Sequence, residues 1–365
     1  MCTIAGYTGS RRAAPILIEM MRREEFMDGG LSTGIATVHE GKLYTAKVTG
    51  DLEELLRTTD AANFPGTVGI IHSRTSGNRV SHAHPFTSND GQVAIVLNGT
   101  LREVRSPEFS AASNAIMTDF YNKGYDIKTA YDIPENKTAS RKLPNGQGYH
   151  DSEPYALMIG EMVEGVEKKD LKRAMVKATR DSLSKLPADI IVLAVHALLD
   201  DTITLGTITR PMNAGFGDGE TFLATSAMAF PDEVQKRSIV AIPPTTVAQV
   251  TPEGLLISNE KIDGVSVEQV DYRIASYIRT HMEKLLLESG EDHPIGVPNT
   301  PCYTEWREAW SEPYVDCKFA SPTGLLKPYA TVLYEVFWSF HKEGRLRSRV
   351  VEENGTKTLK FWLAD

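Results

Sequence analysis

The chain carries a cysteine at its second position, in Met1-Cys2-Thr3-Ile4-Ala5-Gly6-Tyr7, so loss of Met1 would leave one residue bearing both a thiol and a free α-amine. A thiol titrates near about 8.5 and an α-amine near about 7.7 to 8.0, so the amine can take up the thiol proton around neutral pH. If such a nucleophile attacks a carboxamide, it needs donors for the oxyanion, an anchor for a substrate carboxylate and an acceptor for a substrate ammonium. Residues of these types stand at the ends of apolar runs. Arg74 follows Gly66 to Ser73 and offers a planar fork to a carboxylate, with Thr75 and Ser76 beside it as further substrate contacts. Asn98-Gly99 follows Gln92 to Leu97 and offers a side-chain amide and a backbone N–H that glycine lets a ligand approach closely. Asp151 precedes a helical pattern that begins near Glu153, where it either caps the helix or binds an amine. Each has a plain structural alternative: a small residue after the initiator, a surface ion pair, a turn and an N-cap.

The elements that must position these residues alternate between strand and helix. Thr3 to Tyr7 reads as a short buried strand, Ala13 to Glu24 has apolar residues at helical spacing, and strands are expected at Thr33 to His39 and Leu43 to Val48. Val104 to Tyr149 is polar and weakly periodic, apart from a short helix near Ala111 to Asn122, and reads as an insertion over about 104–149. Helical pattern returns at Glu153 to Val163 and Lys169 to Leu186. Strands are then expected at Ile190 to His196, Thr202 to Thr207, Thr221 to Thr225, Ser238 to Ile242 and Thr246 to Thr251. Beyond a break at Asn259 to Gly264 come a helix from Val267 to Glu288, a linker from Ser289 to Thr300 and a helix from Tyr329 to Phe340. A hairpin of Leu346 to Val351 and Thr356 to Leu363 closes the chain around Asn354-Gly355. A helix followed by such a hairpin is compatible with a winged-helix-like unit. Runs of strands flanked by helix pairs favour two packed sheets covered by helices.

With 365 residues, 41% hydrophobic and 24% charged, the chain can build a sizeable core. Its net charge of −9 disfavours nucleic acid as a main ligand. The three cysteines, Cys2, Cys302 and Cys317, show no disulfide or zinc spacing, so Cys302 and Cys317 read as inert thiols, no metal or cofactor is expected, and the compartment expected is reducing. No charged and apolar leader precedes Cys2, and no apolar run nears the roughly 20 residues of a membrane span, which gives a cytoplasmic expectation. His82 and His84 read as packing features of an Ala-His-Pro turn, and His196 as a satisfied core histidine.

Taken in chain order, these pieces resemble the class II glutamine amidotransferases, N-terminal-nucleophile hydrolases that include the glutaminase domain of glucosamine-6-phosphate synthase. Cys2 to Tyr7 is similar to their first strand, and Asp28-Gly29-Gly30-Leu31-Ser32-Thr33-Gly34 stands where they carry a Gly-Tyr-Asp-Ser-Ala-Gly-like turn. His72-Ser73-Arg74 resembles their His-Thr-Arg, Ala83-His84-Pro85 their Ala-His-Pro, and Leu97-Asn98-Gly99 their His-Asn-Gly. His150-Asp151-Ser152-Glu153 resembles Thr-Asp-Thr-Glu, and Phe222 to Ser226 a later strand. The resemblance covers roughly residues 2–262 and implies an α+β fold, a four-layer αββα sandwich, with 263–365 as a small C-terminal α/β extension. It implies Cys2 as nucleophile with its α-amine as base, Asn98 and Gly99 as oxyanion hole, and Arg74 and Asp151 on the α-carboxylate and α-ammonium of glutamine. Three departures touch glutamine affinity and gating. Thr75 replaces a tryptophan of the glucosamine-6-phosphate synthase branch, the stretch from Arg74 to Ala83 is a few residues shorter than in that branch, and the stretch from Gly99 to Asp151 is much longer than usual.

The expected activity is hydrolysis of glutamine to glutamate and ammonia. Residues 263–365 are too few for the second domains of full-length synthases and hold no phosphate-cradling glycine motif. A separate synthase subunit is therefore the expected partner, and a homo-oligomer is compatible with a docking role for the extension. A second reading is a glutamine-sensing regulator whose tail contacts DNA or protein through Arg345, Arg347 and Arg349, spaced by two along one strand face. A third is a hydrolase of the same type acting on another amide.

Overall fold

The computed structural model describes residues 2–77, 79–99, 107–137, 139–267, 270, 272–297, 325–326 and 329–364. Cys302 and Cys317 lie outside the described residues. Strand β1 (Thr3–Thr8) leads to α1 (Ala13–Asp28), then β2 (Ser32–His39), β3 (Lys42–Thr49), α2 (Leu52–Thr58), β4 (Val68–Arg74), β5 (Phe86–Thr87) and β6 (Val93–Gly99). Helices α3 (Pro107–Asn122), α4 (Glu153–Val163) and α5 (Lys168–Lys185) follow. After them come β7 (Ile190–His196), β8 (Ile203–Thr207), β9 (Asn213–Gly217), β10 (Glu220–Ala224), α6 (Asp232–Gln235), β11 (Ile239–Ala241), β12 (Thr246–Thr251) and β13 (Gly254–Ile257). The last part contains β14 (Ser266–Val267), α7 (Tyr272–Ser289), β15 (Ile295–Gly296), β16 (Leu325–Leu326), α8 (Tyr329–Lys342), β17 (Leu346–Glu353) and β18 (Thr356–Leu363).

Two antiparallel sheets form the body, in the orders β11-β9-β10-β1-β4-β2-β3 and β13-β12-β8-β7-β6-β5. Side-chain alternation assigns each strand face to a layer. Ile4, Ala36, Val38, Val68 and Ile70 of the first sheet pack on Ala94, Val96, Ile191, Leu193 and Leu205 of the second, forming the middle core. Ala5, Tyr7, Ile35 and Ile71 point outward and are covered by Leu17, Met20 and Met21 of α1. Val93, Ile95, Leu97, Ile190 and Val192 face α4 and α5 through Tyr155, Ile159, Leu171 and Met175. The result is helix, sheet, sheet, helix, as expected.

Several elements differ from their sequence-based expectation. Helix α3 starts at Pro107, earlier than expected, and buries Phe109, Met117 and Phe120 in the outer core, so much of the 104–149 insertion is structural. The helix expected from Val267 starts at Tyr272, because Ser266 and Val267 pair in parallel with Leu325 and Leu326. Strands β9 and β13 lacked a clear alternation, since Asn213–Gly217 is interrupted by glycine and Gly254–Ile257 is a hairpin return at a sheet edge. Asp151 is not a helix cap: Ser152 holds the N-cap position of α4, without a side-chain capping bond.

The last part has a core of its own, in which Ile278, Met282 and Leu286 of α7 meet Leu333, Phe337 and Phe340 of α8 and Phe361 and Leu363 of β18. β15, β18 and β17 make a three-stranded antiparallel sheet beside these helices. Arg345 is paired with Glu283 at 2.6 Å, and Arg349 lies over the Trp362 ring, so the row of arginines that suggested a nucleic-acid surface is partly engaged within the chain.

Candidate active site

The alternation that builds the middle core also delivers the site. Val68, Ile70, His72 and Arg74 share one face of β4, Ala94, Val96 and Asn98 share one face of β6, and Cys2 continues the face of Ile4. All three faces look into the space between the sheets, at the same end. Thr3 pairs with Ser73, so one step on Cys2 comes opposite Arg74. A one-residue slip in any of these strands would turn its functional side chain into a helix-covered layer.

Asn98 bridges to Cys2 across the two sheets. The Cys2 backbone N–H donates to Asn98 Oδ1 at 3.2 Å, and Asn98 Nδ2 donates to the Cys2 carbonyl at 2.7 Å. Asn98 is 1% exposed, Cys2 is half-buried and its thiol is free of any disulfide. One Nδ2 hydrogen remains for another acceptor. At Gly99 a Cβ would sit 2.5 Å from Ile190 Cγ2, so the close approach of β6 to β7 requires glycine.

Arg74 Nη1 donates to the carbonyl of His82, which leaves most of its guanidinium donors available. Thr75 and Ser76 are exposed, and the Ser76 carbonyl accepts from Ser32 Oγ at 3.0 Å. Asp151 faces His150 Nδ1 at 3.1 Å through one carboxylate oxygen and Arg141 Nη2 at 3.6 Å through the other. Burial works to raise the Asp151 carboxyl, and the neighbouring His150, Arg141 and Arg74 outweigh it, holding it below the usual range. Burial also pushes His150 down to about 3, so the standing positive charge around Asp151 comes from the two guanidiniums.

Four imidazoles line this end of the sandwich. The His72 and His84 rings lie against each other, tilted by 37° with centroids 4.0 Å apart, and His82 and His150 meet edge to face at 5.3 Å. Burial holds His72 and His84 well below the ordinary histidine range, so they are neutral packing groups. His84 reaches this position because its carbonyl crosses Gly34, where any Cβ would collide with it. His196 is also buried and accepts from the Leu198 N–H at 3.1 Å. Among the described residues no group of three ligating side chains could hold a metal ion, and no helix is long and apolar enough to cross a membrane.

Beneath the site lies a carboxylate that sequence reasoning missed. Glu25 Oε1 accepts from Thr33 Oγ1 at 2.9 Å, Ser73 Oγ at 2.9 Å and the Leu52 N–H at 2.8 Å, and Ser73 in turn accepts from the Gly30 N–H at 2.8 Å. Its place, four residues after buried Met21 on the inner stripe of α1, was the available signal. Arg141 had no such signal, because it arrives by a non-local fold of the insertion.

No family model matches the chain. Curated relatives include the glutamine–fructose-6-phosphate aminotransferase (isomerizing) of Pyrococcus horikoshii, 25% identical over 233 residues, covering 63% of this chain and 33% of the relative. That of Methanosarcina acetivorans is 25% identical over 313 residues, covering 82% and 44%. The chain thus spans less than half the length of these relatives. Among solved structures, the Bacillus subtilis glutamine phosphoribosylpyrophosphate amidotransferase superposes with a TM-score of 0.54 at 17% identity, over 79% of this chain and 58% of that one, a likeness of fold. Over the matched region the chain is thus similar in sequence to the glutamine–fructose-6-phosphate aminotransferases, and its sandwich is the fold of the amidotransferase on which it superposes.

Proposed function

We propose that the chain hydrolyses the side-chain amide of glutamine through a thioester on Cys2, with residues 2–262 as the glutaminase unit. The observation that carries this reading is the pair of hydrogen bonds between Cys2 and Asn98, with Arg74 opposite Cys2 in the strand register. With Met1 removed, the α-amine takes the thiol proton and Sγ bonds to the amide carbon. The resulting oxyanion is met by the second Nδ2 hydrogen of Asn98 and by the Gly99 N–H. The protonated amine returns its proton to the amide nitrogen, the C–N bond breaks and ammonia leaves. A water deprotonated by the same amine then attacks the thioester, the C–S bond breaks and glutamate is released. Arg74 takes the α-carboxylate and Asp151 the α-ammonium, one group for each charge of the zwitterion.

The relatives' names supply the glutamine-dependent aminotransfer context, and we propose that ammonia here passes to a separate synthase subunit. Intact mass before and after a glutamine-like diazoketone tests the nucleophile. Loss of Met1 and a single adduct, absent from Cys2→Ala, is the expected result, whereas an adduct retained in Cys2→Ala would reject Cys2. Co-purification under weakly dissociating conditions tests the partner, and recovery of only free monomer counts against it.

A further inference from the structure

The long stretch between Gly99 and Asp151 brings Arg141 onto the carboxylate that the proposed reaction needs for its substrate. Its Nη2 lies 3.6 Å from Asp151 Oδ2, and its side chain is 19% exposed. The backbone on both sides of it is held by a single residue of α3: Asn114 Nδ2 donates to the Ser140 carbonyl at 3.0 Å, and the Lys142 N–H donates to Asn114 Oδ1 at 3.0 Å. The hydroxyl of Tyr149 also donates to Asn114 Oδ1, at 2.9 Å, and Leu143 is buried in the outer core, so Arg141 stands on an anchored segment. The other oxygen of Asp151 faces His150 Nδ1, a nitrogen that already accepts from the Ser152 N–H at 3.2 Å. Arg141 is therefore a cation seated on the carboxylate that the glutaminase reading assigns to the substrate ammonium.

We propose that Arg141 is a resident competitor for that position, paired with Asp151 in the unliganded enzyme and displaced when glutamine binds. This rests on the glutaminase reading above and adds to it a residue that sets substrate affinity. A charge-assisted N–H···O bond at full strength is about 2.7 to 2.9 Å long, so the 3.6 Å pair is loose enough to exchange. A paired arrangement populated in about 90% of molecules weakens apparent binding roughly tenfold.

The test is glutamine-hydrolysis kinetics for wild type, Arg141→Met, Arg141→Lys and Asn114→Ala. Because KM equals a dissociation constant only when chemistry is slow, glutamate binding by calorimetry on a Cys2→Ala background accompanies it. The expected result is a KM and a glutamate Kd roughly tenfold lower in Arg141→Met, an intermediate effect in Arg141→Lys, and a decrease in Asn114→Ala, which releases the segment without touching Asp151. An unchanged or higher KM and Kd in Arg141→Met, with turnover intact, would overturn the competitor role and leave the glutaminase reading standing. Absence of turnover and of diazoketone adduct from wild type and variants alike would overturn both.

Discussion

Asn98 shows how one side chain can fix the residue proposed as nucleophile just ahead of the first strand. Its amide meets both the N–H and the carbonyl of Cys2, so it positions the residue by two bonds and still has one hydrogen for another acceptor, which the proposed mechanism makes the oxyanion. Asn98→Ala is expected to lower kcat about 100- to 1,000-fold while the protein stays folded, measured as glutamate release beside the thermal midpoint. A kcat within threefold of wild type would remove Asn98 from the mechanism. Glu25 presents a different residue-scale problem. Burial raises its carboxyl to about 7 against hydrogen bonds from Ser73 and Thr33 that lower it. As pH rises from about 4.5 to about 7 the unfolded chain releases this proton while the folded chain keeps it, so stability falls across that window, by about 3 kcal/mol in all. The neutral buried histidines act in the opposite direction, favouring the folded state as pH rises, so the comparison must be a difference between two proteins. In Glu25→Gln the Oε1 acceptor remains and the titration is gone. Thermal midpoints at pH 5, 6, 7 and 8 are expected to show wild type losing stability relative to this variant, and parallel curves would refute the raised pKa.

At the scale of elements, strand parity was the legible part. The alternation in Thr3–Thr8, Val68–Arg74 and Val93–Gly99 sets which side chains face inward, and the ends of these runs hold Cys2, Arg74 and Asn98. What could not be read was anything produced by distant chain segments meeting: Arg141 on Asp151, the His84 carbonyl over Gly34, or the buried pair of Arg210 Nη2 and Asp189 Oδ2 at 2.8 Å. Helix α3 was underestimated because its apolar stripe is thin and its flanks are polar, yet the stripe is aimed at the outer core. That difference has an energetic signature. Phe120 is 2% exposed and stacks on Tyr125 with centroids 4.9 Å apart. Phe120→Ala is expected to cost about 3 to 5 kcal/mol in urea unfolding, the range for truncating a buried aromatic. A surface helix in a dispensable insertion would show a change within about 0.5 kcal/mol, and that result would return α3 to the insertion.

At the scale of the molecule, the question is whether residues 263–365 form a separable unit, and the contacts argue for one cooperative body. Met27 of α1 is buried in the C-terminal core, while Trp338 of α8 is 8% exposed and buried in the core under α1. Each part therefore contributes a large apolar side chain to the other. Polar contacts reinforce this crossing: Thr331 Oγ1 donates to the Thr209 carbonyl at 3.1 Å, and His341 Nε2 lies 3.0 Å from Gln235 Oε1. Lys357 of β18 pairs with Asp51 at 2.8 Å, and Asp51 caps α2 by accepting from the Glu54 N–H at 3.1 Å. The ion pair is partly exposed, with the lysine side chain 42% accessible, and contributes at most about 1 kcal/mol, so the shared apolar cores must dominate the coupling. Trp338→Ala is expected to cost about 3 to 5 kcal/mol and to leave a single unfolding transition by calorimetry, shifted as a whole. Lys357→Ala should shift the same transition only slightly. Two separate transitions in wild type, with Trp338→Ala moving one of them, would instead make 263–365 an independent domain resting on the sandwich. The single-transition outcome carries a consequence for the site, because Asp51 follows Gly50, whose carbonyl accepts from Thr33 Oγ1, and Thr33 also holds Glu25 beneath Ser73 and Arg74. Loosening the C-terminal hairpin would then weaken the support of the end of β4 that carries Arg74, so, on the glutaminase reading, glutamine KM should rise in Lys357→Ala more than its small loss of stability implies.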